Sequence, residues 1–491
     1  MDYVDVGQHM LITEVAVAGR QELVDVRCNE GLVSEVGGGL TPGPNEQLVA
    51  GKGGALLPGL HDHHMHLFAS AAQCNSLQCG PPQVCNGAEL VAALRSVPGS
   101  GWIRGVNYHA SVGGELNRHT LDRIVNDRPV KVQHRSGKLW IVNSLAAEQL
   151  SLEQHIGMPG IELDQLGRPS GRLFRLDSWM RRQLAAADCA GVPPLGEISR
   201  RLASFGVTGL TDTSPDNGSF AMRQFTAAAI SGELLQSVRV MGGDELPLAT
   251  CDQVQRGERK VMLDESALPD WDSLRATFAD AHNHGRAVAV HCVTSCELVL
   301  ALSVLRDVGV HSRDRIEHAS MVPPQLLSLV REVGVRVVTQ PGFIYERGDQ
   351  YLNEIPPPEH SHLYRCQTLL TQGIPLAGST DAPYGDPDPW AAMRASVNRR
   401  SRSGRSIGRC EALSPEQALG LFTSAADDAG GASRRVEEGG VADLCLLNRR
   451  WDEARLRLRS EDVIATIRNG KLIYQHSQER NPGRQDASAA A

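Results

Sequence analysis

Residues 57–67 read LPGLHDHHMHL, placing four histidines and one aspartate in the six positions from His61 to His66. Side chains alternate along a strand, so two His-x-His pairs, His61/His63 and His64/His66, occupy opposite faces. Spacing alone does not say which pair does chemistry. The flanks are more informative: ALL at 55–57 precedes the cluster and the helix-like LFASAAQ at 67–73 follows it. The stretch therefore reads as a buried strand running into a helix.

The same design recurs towards the C-terminus. From about residue 196, GVTGLTD, SVRVMGG, RKVMLDE, AVAVHC, RIEHAS, VRVVTQP and IPLAGSTD are short apolar strand candidates, with helical stretches between most of them. In PDWDSLRATFADAHNHG, Trp271, Leu274, Phe278 and Ala281 share a helix face, Asp270 suits the N-cap and Gly285 the C-cap. Buried strands alternating with amphipathic helices argue for a parallel sheet. Together with ALLPGLHDHHMH they number eight, which closes a (β/α)8 TIM barrel. The expected fold class is α/β.

Residues outside this rhythm define the remaining organisation. Short strands LITEVAVAG, ELVDVRC and GLVSEVG near the start match VADLCLLN and VIATIRNGKLIYQ near the end, the last with an Asn469-Gly470 hairpin turn. They imply a small β-sandwich domain built from 1–56 plus 430–477. The barrel then spans 57–70 plus 196–429. Residues 71–195, too apolar for a linker, read as an inserted subdomain after the first strand and over the active face. The polar, Ala-rich 478–491 reads as a disordered tail.

Composition narrows the function classes. Of 491 residues, 22% are charged and 41% hydrophobic, with a net charge of −8. Nothing in that balance suggests a nucleic-acid or anionic-membrane partner. The basic run NRRSRSGR at 398–405 reads as a solvated loop. Eleven cysteines, scattered without framework spacing, suit a reducing compartment; Cys74, Cys79 and Cys85 lack the CxxC spacing of a structural zinc site. Neither a signal peptide nor a membrane-spanning run is legible. A cytoplasmic protein acting on a small molecule is expected, with homo-oligomer formation left open.

Barrel active sites form at the C-terminal ends of strands. Collecting chemistry-bearing residues there gives His64 and His66, then Lys260 or Asp264, then His291, His318 and Asp381. Imidazole and carboxylate together suit zinc, manganese or iron. Each residue alone has a bland reading as a core or turn residue, but their joint placement does not.

On these motifs the chain resembles the amidohydrolase superfamily, specifically the amidohydrolase 3 branch of N-substituted formamide deformylase-like metal-dependent hydrolases. LLPGLHDHHMHL matches the opening pattern, and VAVHC, RIEHAS and GSTDAP match the ligand motifs of strands 5, 6 and 8, in order. The resemblance covers nearly the whole chain. It implies one or two divalent metal ions, zinc first, held by His64, His66, Lys260, His291, His318 and Asp381. Lys260, by resemblance a carboxylated bridge, begins the RKVMLDE run. Asp264, four residues on and on the same face, competes for that place or supports it.

The reaction implied is hydrolysis of a C–N amide bond, in a linear or cyclic amide or an N-formyl or N-acyl compound, by metal-activated hydroxide. Asp381 would act as general base and His318 as an electrophilic partner. A deaminase, or a lactone or ester hydrolase, on the same barrel is the alternative. Glu297, six residues after His291, does not match the deaminase His-x-x-Glu pattern. A non-catalytic scaffold is the reading from another class, and the filled ligand positions argue against it. Substrate contacts are expected from Arg135, Lys138, Trp140 and Asn143 in QHRSGKLWIVNS, and from Tyr345, Arg347 and Arg365 in a long loop after strand 7. Within the histidine cluster, the family register selects His64/His66 and leaves His61/His63 facing outward. Asp62, one pleat deeper, would orient a ligand histidine.

Overall fold

The computed structural model describes residues 9–74, 76–186 and 192–476; the expected tail at 478–491 lies outside them. The chain forms two compact units, one of residues up to 65, 199–380 and from 386 onward, the other of 66–198 and 381–385.

In the first unit, strands from both chain ends share one eight-stranded sheet. His9–Val17 pairs in parallel with Ala55–Pro58, which pairs antiparallel with Leu444–Leu447. Its core mixes Met10, Ile12, Val26 and Val33 with Leu444, Leu446, Ala465 and Ile467, so neither end can bury its apolar face alone. Arg468 pairs with Lys471 across Asn469 and Gly470, both at positive φ, which is the two-residue hairpin turn expected there.

The second sheet of this unit is the barrel. Its strands are β1 (Leu60–Met65), β2 (Val207–Asp212), β3 (Ser237–Gly242), β4 (Val254–Met262), β5 (Val288–Cys292), β6 (Arg315–His318), β7 (Arg336–Thr339) and β8 (Leu376–Gly378). They neighbour one another in chain order, every pair parallel. β8 comes back beside β1, nearly closing the ring. Every residue of β1 and β2 is buried, as strands packed on both faces require. Between strands, Trp271–Asn283 is N-capped by Asp270, whose carboxylate accepts the Ser273 N–H. The next helices, Ser295–Val308 and Pro324–Val333, both end at a glycine with positive φ.

Two expectations are corrected. The run ALLPGLHDHHMH is two strands in two sheets, so the barrel begins at Leu60 rather than at residue 57. Pro58 lacks an N–H to continue the ladder. At Gly59 any Cβ would lie 2.3 Å from Thr208, so the proline-glycine pair is where the chain changes sheets. The second correction concerns β4, which starts at Val254 and not near Lys260. Polar QRGER hid its first half, but Glu258 is buried there in an ion pair with Arg239 at 2.8 Å. Lys260 is therefore near the strand's end, paired with Ala289.

The second unit carries a six-stranded sheet in the order Ile161–Leu163, Pro169–Phe174, Leu139–Val142, Val130–His134, Ile103–Tyr108, Leu77–Gln78. Ile103, Val130, Val132 and Ile141 belong to one apolar core; Trp140, Val142, Leu173 and Trp179 belong to another. Two cores account for the apolar content that ruled out a linker. Among the described residues no helix is long and apolar enough to cross a membrane.

Candidate metal centre

β1 delivers its histidines to two environments. His61 Nε2 lies 3.0 Å from Thr211 Oγ1, and His63 Nε2 lies 3.1 Å from Ser424 Oγ. Burial, with nearby arginines, pushes both imidazoles well below their usual pKa, so both are neutral. Their rings stack tilted at 4.5 Å as packing elements. His64 points elsewhere. Its Nδ1 is bonded to Glu317, which Arg315 holds from the other side. Arg315 also donates to the His63 carbonyl at 2.6 Å.

Burial alone would raise the pKa of Glu317, but Arg315 and Lys260 outweigh it and hold the carboxyl below its ordinary value. An ionised Glu317 accepts Nδ1–H from His64, leaving the Nε2 lone pair for a ligand. Asp62 works through the backbone. Its Oδ1 accepts the N–H of His64 at 3.2 Å and of Thr380 at 3.1 Å, and its Oδ2 accepts the Thr380 hydroxyl. It ties β1 to the segment leaving β8, while the ring-orienting part expected of it falls to Glu317. Glu317→Gln should weaken metal affinity about 10- to 100-fold. Titration with a competing chelator would check this, and unchanged affinity would remove Glu317 from the site.

β5 and β6 bring His291 and His318 together, with ring centroids 4.4 Å apart, and His64 lies 4.7 Å from His318. His318 Nδ1 donates to Gln340 Oε1 at 2.8 Å, and Gln340 Nε2 donates to Ser379 at 3.0 Å. As in His64, this leaves Nε2 with the lone pair. Burial first, then His291, His64 and Lys260, pushes His318 well below its usual pKa. Both His318 and Asp381 sit at positive φ, 69° and 54°. Such strain costs ~1–3 kcal/mol per non-glycine residue and concentrates at functional sites.

His66 follows directly on the end of β1, and Asp381 lies three residues past the end of β8. The His66 N–H donates to the Ala382 carbonyl at 2.7 Å, and Nε2 lies 3.4 Å from Asp381 Oδ1. One ligand atom from each of His64, His66 and Asp381 falls within 4.8 Å of the others. Two imidazoles and a carboxylate converging at that spacing suit a divalent transition metal.

Lys260 is 6% exposed inside the barrel, where its charge acts on both Glu317 and His318. Asp264 lies past the end of β4. It caps the turn Glu265–Ala267, accepting the N–H and hydroxyl of Ser266.

A family model described as "Amidohydrolase family" matches residues 47–474. The chain belongs to the amidohydrolase family. This amidohydrolase is 25% identical over 476 residues to N-substituted formamide deformylase of Arthrobacter pascens, covering 85% of this chain and 88% of that one. It is 24% identical over 442 residues to the putative amidohydrolase YtcJ of Bacillus subtilis (strain 168), covering 78% and 82%. Among solved structures, it resembles an uncharacterised metal-dependent hydrolase from Pyrococcus horikoshii OT3 with a TM-score of 0.74 at 21% identity, covering 90% and 97%.

The substrate contacts expected of this amidohydrolase fare unevenly. Asn143 is fully buried. It caps Ser144–Gln149 and gives its amide to the Val125 and Arg128 carbonyls, a structural role that leaves it no surface for a ligand. Arg365 is committed to Glu411 at 3.2 Å and to the Val322 carbonyl. Arg347 lies over the Phe343 ring at 3.6 Å, and half-exposed Tyr345 lies under Arg402. Their segment is no open loop, because it winds into Phe343–Glu346, Gly348–Glu354 and Pro357–His362. Arg135 and Lys138 are exposed on the turn after Val130–His134. Trp140 is 4% exposed, its indole N–H donating to Asp177 at 2.6 Å. Glu297 completes a capping box with Thr294.

Sequence reasoning missed Glu317, Gln340 and Tyr384. Glu317 had a signal: Arg315 and Glu317 alternate on a strand buried throughout, where unpaired charges are not tolerated. Gln340 had none, since only the fold brings it to His318. Tyr384 stands edge-on to His66 at 5.5 Å.

Proposed function

We propose that this amidohydrolase hydrolyses the C–N amide bond of a small molecule, a linear or cyclic amide or an N-formyl or N-acyl compound. The observation that carries the reading is the convergence of His64, His66 and Asp381. His291 and His318 complete the ligand set, with zinc the first choice of metal. Lys260, carboxylated, is the bridging ligand if two ions bind. The printed name of the Arthrobacter pascens relative supports a formamide-type bond.

When bound, such an ion supplies a Lewis acid for the carbonyl and brings the pKa of a coordinated water from ~15.7 towards ~7. The chain's own residues do the rest. The Asp381 carboxylate takes the proton from the attacking water and returns it to the leaving nitrogen. Glu317 and Gln340 hold His64 and His318 as Nδ1–H tautomers, so neither ring has to reorient. With its proton on Nδ1, His318 presents a lone pair at Nε2 and serves as a ligand rather than as the electrophilic partner of the carbonyl oxygen.

The test is a panel of N-formyl amines, N-acyl amino acids, cyclic amides and lactones offered to protein loaded with zinc or manganese. Amide turnover that disappears with a chelator is the expected result. Turnover of lactones alone would overturn the reading.

A further inference from the structure

The helical layer around the barrel has a gap. Helices Ser219–Ile230 and Trp271–Asn283 fill the crossovers from β2 to β3 and from β4 to β5, but the crossover from β3 to β4, residues 243–253, forms no helix. Beside it lies a cavity of about 650 Å³, the size of a small-molecule site. Its wall is built from residues 248–252, 254–258 and 285–287 with Arg239 and Arg313, all within the first unit. His291 and His318 lie at the C-terminal ends of β5 and β6, whereas Arg286 and Arg313 precede the first residues of those strands. A strand's length, ~10 Å or more, therefore separates this cavity from the candidate metal ligands.

Charge on the cavity wall is unbalanced. Arg239, Arg256, Arg286 and Arg313 stand against two carboxylates, Asp252 and Glu258. Glu258 is spent on Arg239 at 2.8 Å, and Asp252, exposed, ion-pairs with none of the described residues. Arg286 is buried and gives its donors to backbone carbonyls: Nε to Gly257 at 3.0 Å, Nη1 to Gly243 at 2.6 Å, and Nη2 to Gly242 at 2.9 Å and Glu258 at 3.0 Å. Those bonds fix the guanidinium without neutralising it. Burial first, then Arg256 beside it, pulls Arg286 down to about 10. Arg313 Nε is buried with no acceptor. The half-buried Arg256 side chain meets neither an acceptor nor a carboxylate among the described residues. Other half-buried arginines of this unit are paired, Arg259 with Asp280 at 3.0 Å and Arg336 with Asp428 at 2.6 Å. A guanidinium withdrawn from water without such a partner is costly unless a ligand supplies one.

We infer that this cavity binds a phosphorylated small molecule, its phosphate held by Arg256 and Arg313 beside the fixed charge of Arg286. Once Asp252 and Glu258 are set against the four arginines, two positive charges remain, which a phosphate dianion matches and a single carboxylate does not. A guanidinium fork also donates to two phosphate oxygens at once. The volume leaves room beyond the phosphate for the rest of the ligand, against Leu248 and Ala249. Because the cavity lies at the starts of the strands, its ligand is not the molecule cleaved at the metal centre. The inference stands whichever bond is cleaved there.

The experiment titrates inorganic phosphate, then glycerol 3-phosphate, into the full zinc-loaded chain by calorimetry, with chloride as the only other anion and ionic strength held constant. Each should bind with a Kd below about 1 mM. Arg256→Met combined with Arg313→Met should weaken binding at least about tenfold. Arg256→Lys combined with Arg313→Lys keeps the charge and should lose less than about threefold, which separates recognition from folding. Neither arginine side chain has a described partner inside the fold, so both double variants should melt no lower than the wild type. His64→Asn should still bind one phosphate per chain with unchanged affinity, because an anion taken up at the metal centre would be lost with that change. No binding below about 10 mM, binding indifferent to the methionine pair, or binding lost in His64→Asn would overturn the inference.

Discussion

Asp381→Asn should lower kcat about a thousandfold while the protein keeps most of its metal. The carboxamide preserves an oxygen donor at the same position, so coordination is weakened without being abolished. It cannot accept the proton of the attacking water at neutral pH, and general acid–base groups supply ~10²–10⁴ of rate. The strained φ of 54° puts this carboxylate 3.4 Å from His66 Nε2, and the asparagine tolerates that conformation better than most residues. Fold and metal content should therefore survive, as circular dichroism and metal analysis would report. Near wild-type turnover with metal retained would take the base role away from Asp381.

His64→Asn should abolish stoichiometric metal binding, and with it essentially all turnover. His64 is the histidine whose Nδ1 is clamped by a buried ionised glutamate, so its Nε2 is pre-aimed with no rotamer or tautomer left to choose. Asparagine keeps a donor for Glu317. Alanine would leave that buried carboxylate short of a partner at a cost of ~1–3 kcal/mol, confusing metal loss with unfolding. His63→Gln is the control one residue away. It faces Ser424 and should keep its metal within about twofold, though some stability is lost from a fully buried site. Metal content that falls with His63 and survives the His64 change would reverse the assignment of the two His-x-His pairs.

The candidate site was legible wherever chemistry and periodicity coincide on one strand. His64, His66, His291, His318 and Asp381 all close short apolar runs, and a strand end is where a barrel places its chemistry. Lys260 was harder, because the strand that carries it opens with QRGER. Its Glu258 is compensated by Arg239 from the neighbouring strand, and no reading of β4 by itself reveals that. The QHRSGKLWIVNS segment misled in the opposite direction. Its dense donors looked like a ligand surface, yet Asn143 is spent on backbone groups.

The sequence by itself determined the alternation of eight buried strands with amphipathic helices, the β elements at the two ends, the apolar insertion and the histidines and aspartate that close the strands. These follow from local periodicity, turn chemistry and residue type, which a linear chain displays. Only the tertiary structure decided which histidines converge, because facing depends on register against neighbouring strands. It alone showed that Glu317 and Gln340 set the tautomers of His64 and His318, and that Pro58-Gly59 is a passage between two sheets. Each of these is a relation between residues distant in sequence, and its energy is set by burial and pairing that exist only once the sheets have formed.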